Sequence, residues 1–127
     1  NRSMGIVYCD VTGLKKVNDT QGHEMGDRLL KTACESLRRV FDGYGLFRIG
    51  GDEFLAAANG VTREELSEHV RLLKEDMKVH GVNMAVGEVW TDKAPRNQDA
   101  LLTEAERLMY RDKADYYKRA GIDRRKY

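Results

Sequence analysis

Asp52 and Glu53 follow two glycines in the run Arg48-Ile49-Gly50-Gly51-Asp52-Glu53-Phe54, between apolar stretches that read as strands. Glycine lets a backbone turn tightly and lets a bulky ligand come close. Adjacent carboxylates on such a turn can hold a hard divalent cation and still leave one group to act as a base. A further carboxylate, Asp10, stands at the end of the apolar run Met4 to Val11. Alone it reads as readily as a strand-edge residue or a cap for the following loop as it does as a functional group. Beside Asp52 and Glu53 its meaning changes, because like charges at short range need a cation to stay ionised together. Oxygen ligands without His or Cys favour Mg2+ or Mn2+ over Zn2+.

Two further groups have residue types suited to chemistry. The turn Val11-Thr12-Gly13-Leu14-Lys15-Lys16 can present successive backbone N–H groups to a phosphate. It lacks the glycine and lysine spacing of a Walker loop, and any strand-to-helix turn looks similar. Asn18, His23 and Asp27 supply donors and acceptors, and a bidentate acceptor such as Asp27 suits the adjacent N1–H and 2-amino donors of a guanine edge. Each also has an ordinary explanation: Asn18 as a turn residue, His23 as a packed loop histidine, Asp27 as a charge near a helix start. On spacing alone Lys113 reads as solvent-facing.

The elements that must position these groups follow from the apolar pattern. Met4 to Val11 reads as a buried strand. Gly13 to Gly26 is polar and glycine-punctuated, with a short helical stretch around Leu14 to Asn18. From Asp27 the period becomes helical, with Leu29, Leu30, Ala33, Leu37, Val40 and Phe41 on one face, ended by Asp42-Gly43 and Gly45. Leu46 to Ile49 and Phe54 to Ala58 read as a hairpin carrying the acidic turn. Thr62 with Glu65 forms a capping box, and Val61 with Leu66 a staple, before a helix burying Leu66, Val70, Leu73 and Met77. Val82 to Trp90 suggests another strand. A last helix runs from near Asn97 to about Ala120, with Leu101, Leu102, Ala105, Leu108, Met109 and Tyr116 as its apolar stripe and Gly121 as its stop. The first six elements give a ferredoxin-like α+β pattern, βαββαβ, in which helices cover one face of an antiparallel sheet, with an additional C-terminal helix. In that strand order the hairpin pairs with the first strand, which brings its tip near Asp10.

The chain has 127 residues, 41% of them hydrophobic and 34% charged, a composition that fits one globular domain. A net charge of +1 gives no basic field for nucleic acid. The basic residues Lys118-Arg119 and Arg124-Arg125-Lys126 read as a solvated helix end. Cys9 and Cys34 have neither metal-ligand nor disulfide-framework spacing, which suits a reducing, cytoplasmic setting. No apolar run is long enough to span a bilayer, so no membrane contact is expected of this domain itself. The abrupt start before a strand suggests a fragment of a longer protein.

Read together, two long motifs resemble the GGDEF family of diguanylate cyclases. They are Cys9-Asp10-Val11-Thr12-Gly13-Leu14-Lys15-Lys16-Val17-Asn18-Asp19-Thr20-Gln21-Gly22-His23-Glu24-Met25-Gly26-Asp27 and Phe47-Arg48-Ile49-Gly50-Gly51-Asp52-Glu53-Phe54. Met109-Tyr110-Arg111-Asp112-Lys113 extends the likeness. The resemblance implies condensation of two GTP into cyclic di-GMP with release of two pyrophosphates. It implies one GTP on each protomer of a two-fold homodimer, and an upstream regulatory or sensory domain in the parent protein, which the family allows to be membrane-anchored. It further implies that Asp10, Asp52 and the Val11 carbonyl hold Mg2+ or Mn2+, two ions per site, and that Glu53 or Asp52 deprotonates the ribose 3′-hydroxyl. Asn18, His23 and Asp27 fall where the family holds guanine and ribose. The backbone of Gly13, Leu14 and Lys15, with the Lys113 ammonium, falls where it holds the phosphates. A GTP-sensing or partner-docking module with weak or no turnover is the other reading.

The departures are specific. Thr12 stands where a second aspartate is common. Phe41 and Tyr44 stand where the family's product-inhibition motif has Arg and Asp, so no such feedback site is expected. Tyr117 replaces an arginine after the phosphate lysine, with Arg124 or Arg125 as candidate substitutes. The leading helix and its Asp-x-Leu-Thr turn are absent from the chain.

Overall fold

β1 (Met4–Val11) is buried along its whole length, because it lies in the interior of the sheet with helices on both faces. That explains why its sequence is a continuous apolar run rather than an alternating one. The computed structural model describes residues 2–121. The other strands are β2 (Gly45–Arg48), β3 (Glu53–Asn59) and β4 (Met84–Thr91), and the sheet order is β2-β3-β1-β4, antiparallel throughout. The α+β class and the split βαββαβ pattern with an added C-terminal helix are as the sequence predicts.

Helix α2 (His23–Val40) and helix α3 (Arg63–Val79) pack on one face, over Val7, Cys9 and Val11. The last helix, α4 (Asp99–Arg119), covers the opposite face, over Met4, Ile6, Tyr8 and Ala85. The helices therefore lie on both faces, not one: α4 is the element that the six-element pattern leaves out. Leu66, Val70, Leu73 and Met77 are the buried residues of α3, as its apolar spacing predicts. Burying each contributes about 1.5–3 kcal/mol. Thr62 accepts from the Glu65 N–H at 3.0 Å while the Glu65 carboxylate accepts from the Thr62 N–H at 2.7 Å, completing the capping box.

Three local expectations are corrected. The segment after β1 is not mostly loop: α1 (Leu14–Gln21) is two turns long, and α2 begins at His23, four residues before the expected start at Asp27. Gly22 alone separates them, at a φ of 88° that a side chain rarely adopts. Gly26 does not break the chain. It lies inside α2, where a Cβ would stand 1.8 Å from Asn18 Oδ1, so close packing between α1 and α2 explains it. On α4 the buried tyrosine is Tyr117 rather than Tyr116. The sheet-facing row runs Ala105, Met109, Lys113, Tyr117 at intervals of four, which carries the Lys113 ammonium toward the end of β1.

Candidate active site

The β2–β3 hairpin brings its acidic tip to the end of β1. Asp10 and Glu53 are direct partners across the β1–β3 ladder. The Val11 N–H donates to the Asp52 carbonyl at 2.9 Å, fastening the tip to the strand end. Within the turn, the Arg48 guanidinium donates to the Gly50 and Gly51 carbonyls at 3.1 and 2.6 Å. Neither glycine has the positive φ that a tight turn would demand. A Cβ at either would meet nothing within 4 Å, so their contribution is open space beside the carboxylates rather than backbone permissiveness.

Asp10 is the electrostatic centre. Its side chain is 3% exposed. Oδ2 accepts from Lys113 Nζ at 3.2 Å, while buried Oδ1 has no hydrogen-bond partner. Burial first, and the Asp52 charge second, push Asp10 up to about 6 against a partial opposing pull from Lys113. For Lys113 burial acts downward, but the facing Asp10 carboxylate wins and holds the ammonium above its usual range. An orphaned carboxylate oxygen costs stability, and its natural complement is a cation. Asp10, the neighbouring Asp52 and the Val11 carbonyl form a hard-oxygen set that fits Mg2+ or Mn2+. Among the described residues, no three His, Cys, Asp or Glu side chains form a metal cage by themselves, so backbone and ligand oxygens would have to complete the shell.

A cleft of about 340 Å³ opens beside this centre, lined by Val11, Leu14, Lys15, Asn18, His23, Asp52, Lys113 and Tyr117 among others. It gathers most of the residues singled out in the sequence. Gly13, at φ 77°, turns the chain from β1 into α1, so the first N–H groups of α1 belong to the same end of the sheet. Its own N–H donates to the Tyr117 hydroxyl at 3.2 Å. Lys15 is exposed and paired with Asp19 at 2.7 Å. Asp27 follows His23 by one turn of α2 but is not among the residues that line this cleft. It lines a larger groove of about 470 Å³ between α2 and the β2–β3 pair, with Leu30, Phe47 and Phe54.

Two residues at this end of the sheet, Tyr8 and Glu106, belong to no motif of the sequence. Tyr8 donates to Glu53 Oε1 at 2.9 Å, and Glu106 Oε2 lies 3.3 Å from the same hydroxyl. Burial, then Glu53, holds the Tyr8 hydroxyl above its usual range, so it remains a proton donor. Period two along β1 puts Tyr8 on the same face as Asp10, and that was the available signal. Thr12 is 5% exposed and engaged with Asn83: its N–H donates to the Asn83 carbonyl at 3.0 Å, and the Asn83 amide donates to its hydroxyl, also at 3.0 Å. The departure from aspartate at 12 thus coincides with a structural tie between β1 and the segment before β4. Phe41 is fully buried, and its ring, with those of Tyr44 and His69, makes an aromatic cluster with centroids 5.4 to 6.4 Å apart. Arg124 and Arg125, the candidate substitutes for the arginine replaced by Tyr117, lie outside the described residues.

Comparison with known proteins gives this arrangement a family. Residues 1–119 match the family described as diguanylate cyclase, GGDEF domain. The chain is 28% identical over 123 residues to an uncharacterized membrane protein of Staphylococcus aureus strain USA300, covering 87% of this chain and 34% of that protein. Among solved structures it is similar to an EAL/GGDEF domain protein from M. capsulatus, with 26% identity and a TM-score of 0.77 over 91% of this chain and 81% of that one. The fold is also that of the active GGEEF domain of a diguanylate cyclase from Vibrio cholerae (TM-score 0.81, 17% identity, 90% of this chain and 78% of that one). It is likewise that of a Caulobacter crescentus GGDEF domain in complex with c-di-GMP (TM-score 0.76, 18% identity, 95% and 75%). On the match over nearly its whole length, the chain belongs to the GGDEF-domain family of diguanylate cyclases.

Proposed function

We propose that this domain condenses two GTP molecules into cyclic di-GMP and two pyrophosphates, one GTP lying on each protomer of a two-fold dimer. The observation that carries the reading is the buried, unpartnered Oδ1 of Asp10 between Asp52 and Lys113, both of which line a cleft with Asn18 and His23.

Asp10, Asp52 and the Val11 carbonyl would hold Mg2+ or Mn2+, two ions per site. When bound, these ions neutralise triphosphate charge and polarise the attacking and departing oxygens. Asn18 and His23 orient the nucleoside, and Asp27 accepts from the guanine N1–H and 2-amino group. The N–H groups at the start of α1 and the Lys113 ammonium bind phosphate oxygens. Glu53, or Asp52, takes the proton of a ribose 3′-hydroxyl. That oxygen forms a bond to the α-phosphorus of the GTP on the partner protomer, and the bond to pyrophosphate breaks. The same exchange in the opposite sense closes the ring. Positioning supplies most of the rate, since phosphoryl transfer needs little covalent help. A single protomer is insufficient because the nucleophile and the phosphorus arrive on different subunits.

The chain spans 34% of the length of the curated relative described above, and that relative is labelled a membrane protein. Among the described residues no helix is long and apolar enough to cross a membrane. A cytoplasmic output domain, regulated from a membrane-anchored parent, is the arrangement we propose. A second reading has support of its own: Thr12 is tied to Asn83, and Tyr117 stands in place of a phosphate-facing arginine. Both changes favour a module that binds GTP without turnover.

Incubation of the dimeric protein with GTP and Mg2+, with products resolved by mass, decides between them. Cyclic di-GMP that is lost in Glu53→Gln supports the cyclase. Tight GTP binding with no product refutes it in favour of the sensor.

A further inference from the structure

Tyr8 and Asp10 share the α4 face of β1, so the phenol reaches Glu53 from beneath the site. Its ring is 6% exposed and packs with Leu55, Ala85, Ala105 and Met109, which fixes its direction. The hydroxyl stands 2.9 Å from Glu53 Oε1 and 3.3 Å from Glu106 Oε2. One O–H proton serves one carboxylate at a time, and the shorter contact belongs to Glu53. Glu106, on α4, is the second acceptor within reach. Among the described residues Tyr8 is the donor that holds the Glu53 side chain, whereas Asp52, next along the chain, is tied through its backbone to Val11.

We propose that Tyr8 is a positioning residue for Glu53: the immobilised phenol, flanked by Glu106, sets where the Glu53 carboxylate meets the ribose 3′-hydroxyl. This rests on the cyclase reading above. Glu53 projects from the first position of β3, beside a turn with open space at Gly50 and Gly51. Without a fixed partner its carboxylate would sample several rotamers, and a base misplaced by about 1 Å can lose up to about a hundredfold in rate. The phenol does not touch the nucleotide cleft, so its removal acts on the chemical step and not on GTP affinity.

The test is Tyr8→Phe, which keeps the ring and its packing. Removing one hydrogen bond to a charged acceptor should lower kcat about tenfold with KM for GTP within about twofold. In a Glu53→Asp background, whose shorter side chain withdraws the carboxylate from the phenol, adding Tyr8→Phe should change the residual rate by less than about twofold. A general packing defect would instead multiply the two effects. A crystal structure of nucleotide-free Tyr8→Phe should show Glu53 in more than one conformer. Unchanged kcat in Tyr8→Phe while Glu53→Gln is inactive overturns the proposal and leaves the cyclase reading standing. An inactive parent chain overturns the cyclase reading itself. In that case a single unchanged Glu53 conformer in Tyr8→Phe overturns the positioning role as well.

Discussion

Asp10→Asn should make the nucleotide-free protein more stable at neutral pH and no more stable at low pH. The folded state holds the Asp10 carboxyl at about 6, against about 3.9 in an unfolded chain. That difference disfavours the ionised form in the fold by about 3 kcal/mol. The pull of Lys113 is already included in it, since that ion pair opposes the rise. Water entering the open cleft screens the charge and reduces the figure to about 2 kcal/mol. Because the folded value lies above the unfolded one, the favourable contribution of the protonated group is fully present below about pH 4 and is lost as pH rises through about 6. Asparagine keeps the shape and carries no charge at any pH. In EDTA, urea unfolding followed by the fluorescence of Trp90, the single tryptophan, should show parent and variant alike near pH 3.5. The variant should lead by about 2 kcal/mol at pH 7.5. With GTP and Mg2+ the order of merit reverses, and the variant makes no cyclic dinucleotide. A variant less stable than the parent at pH 7.5, or a difference that does not change with pH, would refute the claim that Asp10 carries an uncompensated buried charge.

Gly87→Ala should cost about 3 kcal/mol or more in urea unfolding. A Cβ there meets the Ala105 carbonyl oxygen at 2.0 Å and the Met109 nitrogen at 2.5 Å, so β4 and α4 must part; a variant of parental stability would show that they do not touch at that point. Gly26→Ala meets side chains and no backbone: Asn18 Oδ1 at 1.8 Å, Asn18 Cγ at 2.9 Å and Leu14 Cδ1 at 3.3 Å. It should leave stability unchanged or raised by up to about 1 kcal/mol, while KM for GTP increases several-fold as Asn18 is displaced; an unchanged KM removes Asn18 from nucleoside recognition. Added cyclic di-GMP should inhibit only in competition with GTP, since the packed Phe41, Tyr44 and His69 rings leave no Arg–Asp pair there; non-competitive inhibition in initial-rate assays contradicts this. Thr12→Asp should destabilise the metal-free protein by about 1–3 kcal/mol at pH 7.5, because the Asn83 carbonyl that accepts from Thr12 would then face a carboxylate. Equal urea midpoints for parent and variant would count against that account.

Much of this was legible in the sequence where the signal is local or fixed by strand order. The continuous apolar run of β1, the Thr62–Glu65 capping box and the α3 stripe need only neighbours to specify them. The meeting of Asp10 with the Asp52–Glu53 tip follows from the split strand order, because the hairpin must pair with β1. What stayed hidden depends on phase or on tertiary contact. Tyr116 and Tyr117 differ by one helical step, about 100°, and the apolar pattern of α4 is too broad to choose between them. Gly22 and Gly26 look alike in sequence, yet one is a backbone necessity and the other makes room for Asn18. Tyr8 reads as one more core aromatic until α4 supplies Glu106 and β3 supplies Glu53. Asp27 stands one turn from His23 on α2, yet it lines the groove with Leu30 and Phe47, which only the folded helix shows.

The two ends of the sheet are built to different standards. At the end remote from the cleft, polar groups close on one another: Ser3 Oγ and Trp90 Nε1 both donate to the Val61 carbonyl, at 2.6 and 2.8 Å, and the Gly60 N–H donates to the Ser3 carbonyl at 2.8 Å. At the cleft end, β1 finishes in a buried carboxylate with one oxygen unpaired and a single lysine against the other. Beside it lie two glycines with empty space where side chains would pack. A fold selected for stability alone would fill the space and neutralise the charge, and Asp10→Asn does the second in one step. Natural proteins break local rules chiefly where function requires it. The breaches here gather at one strand end, while Thr12, only two residues from Asp10, has its polar groups paired with Asn83. That boundary separates what an ion and a triphosphate would use from what merely holds β1 to the segment before β4.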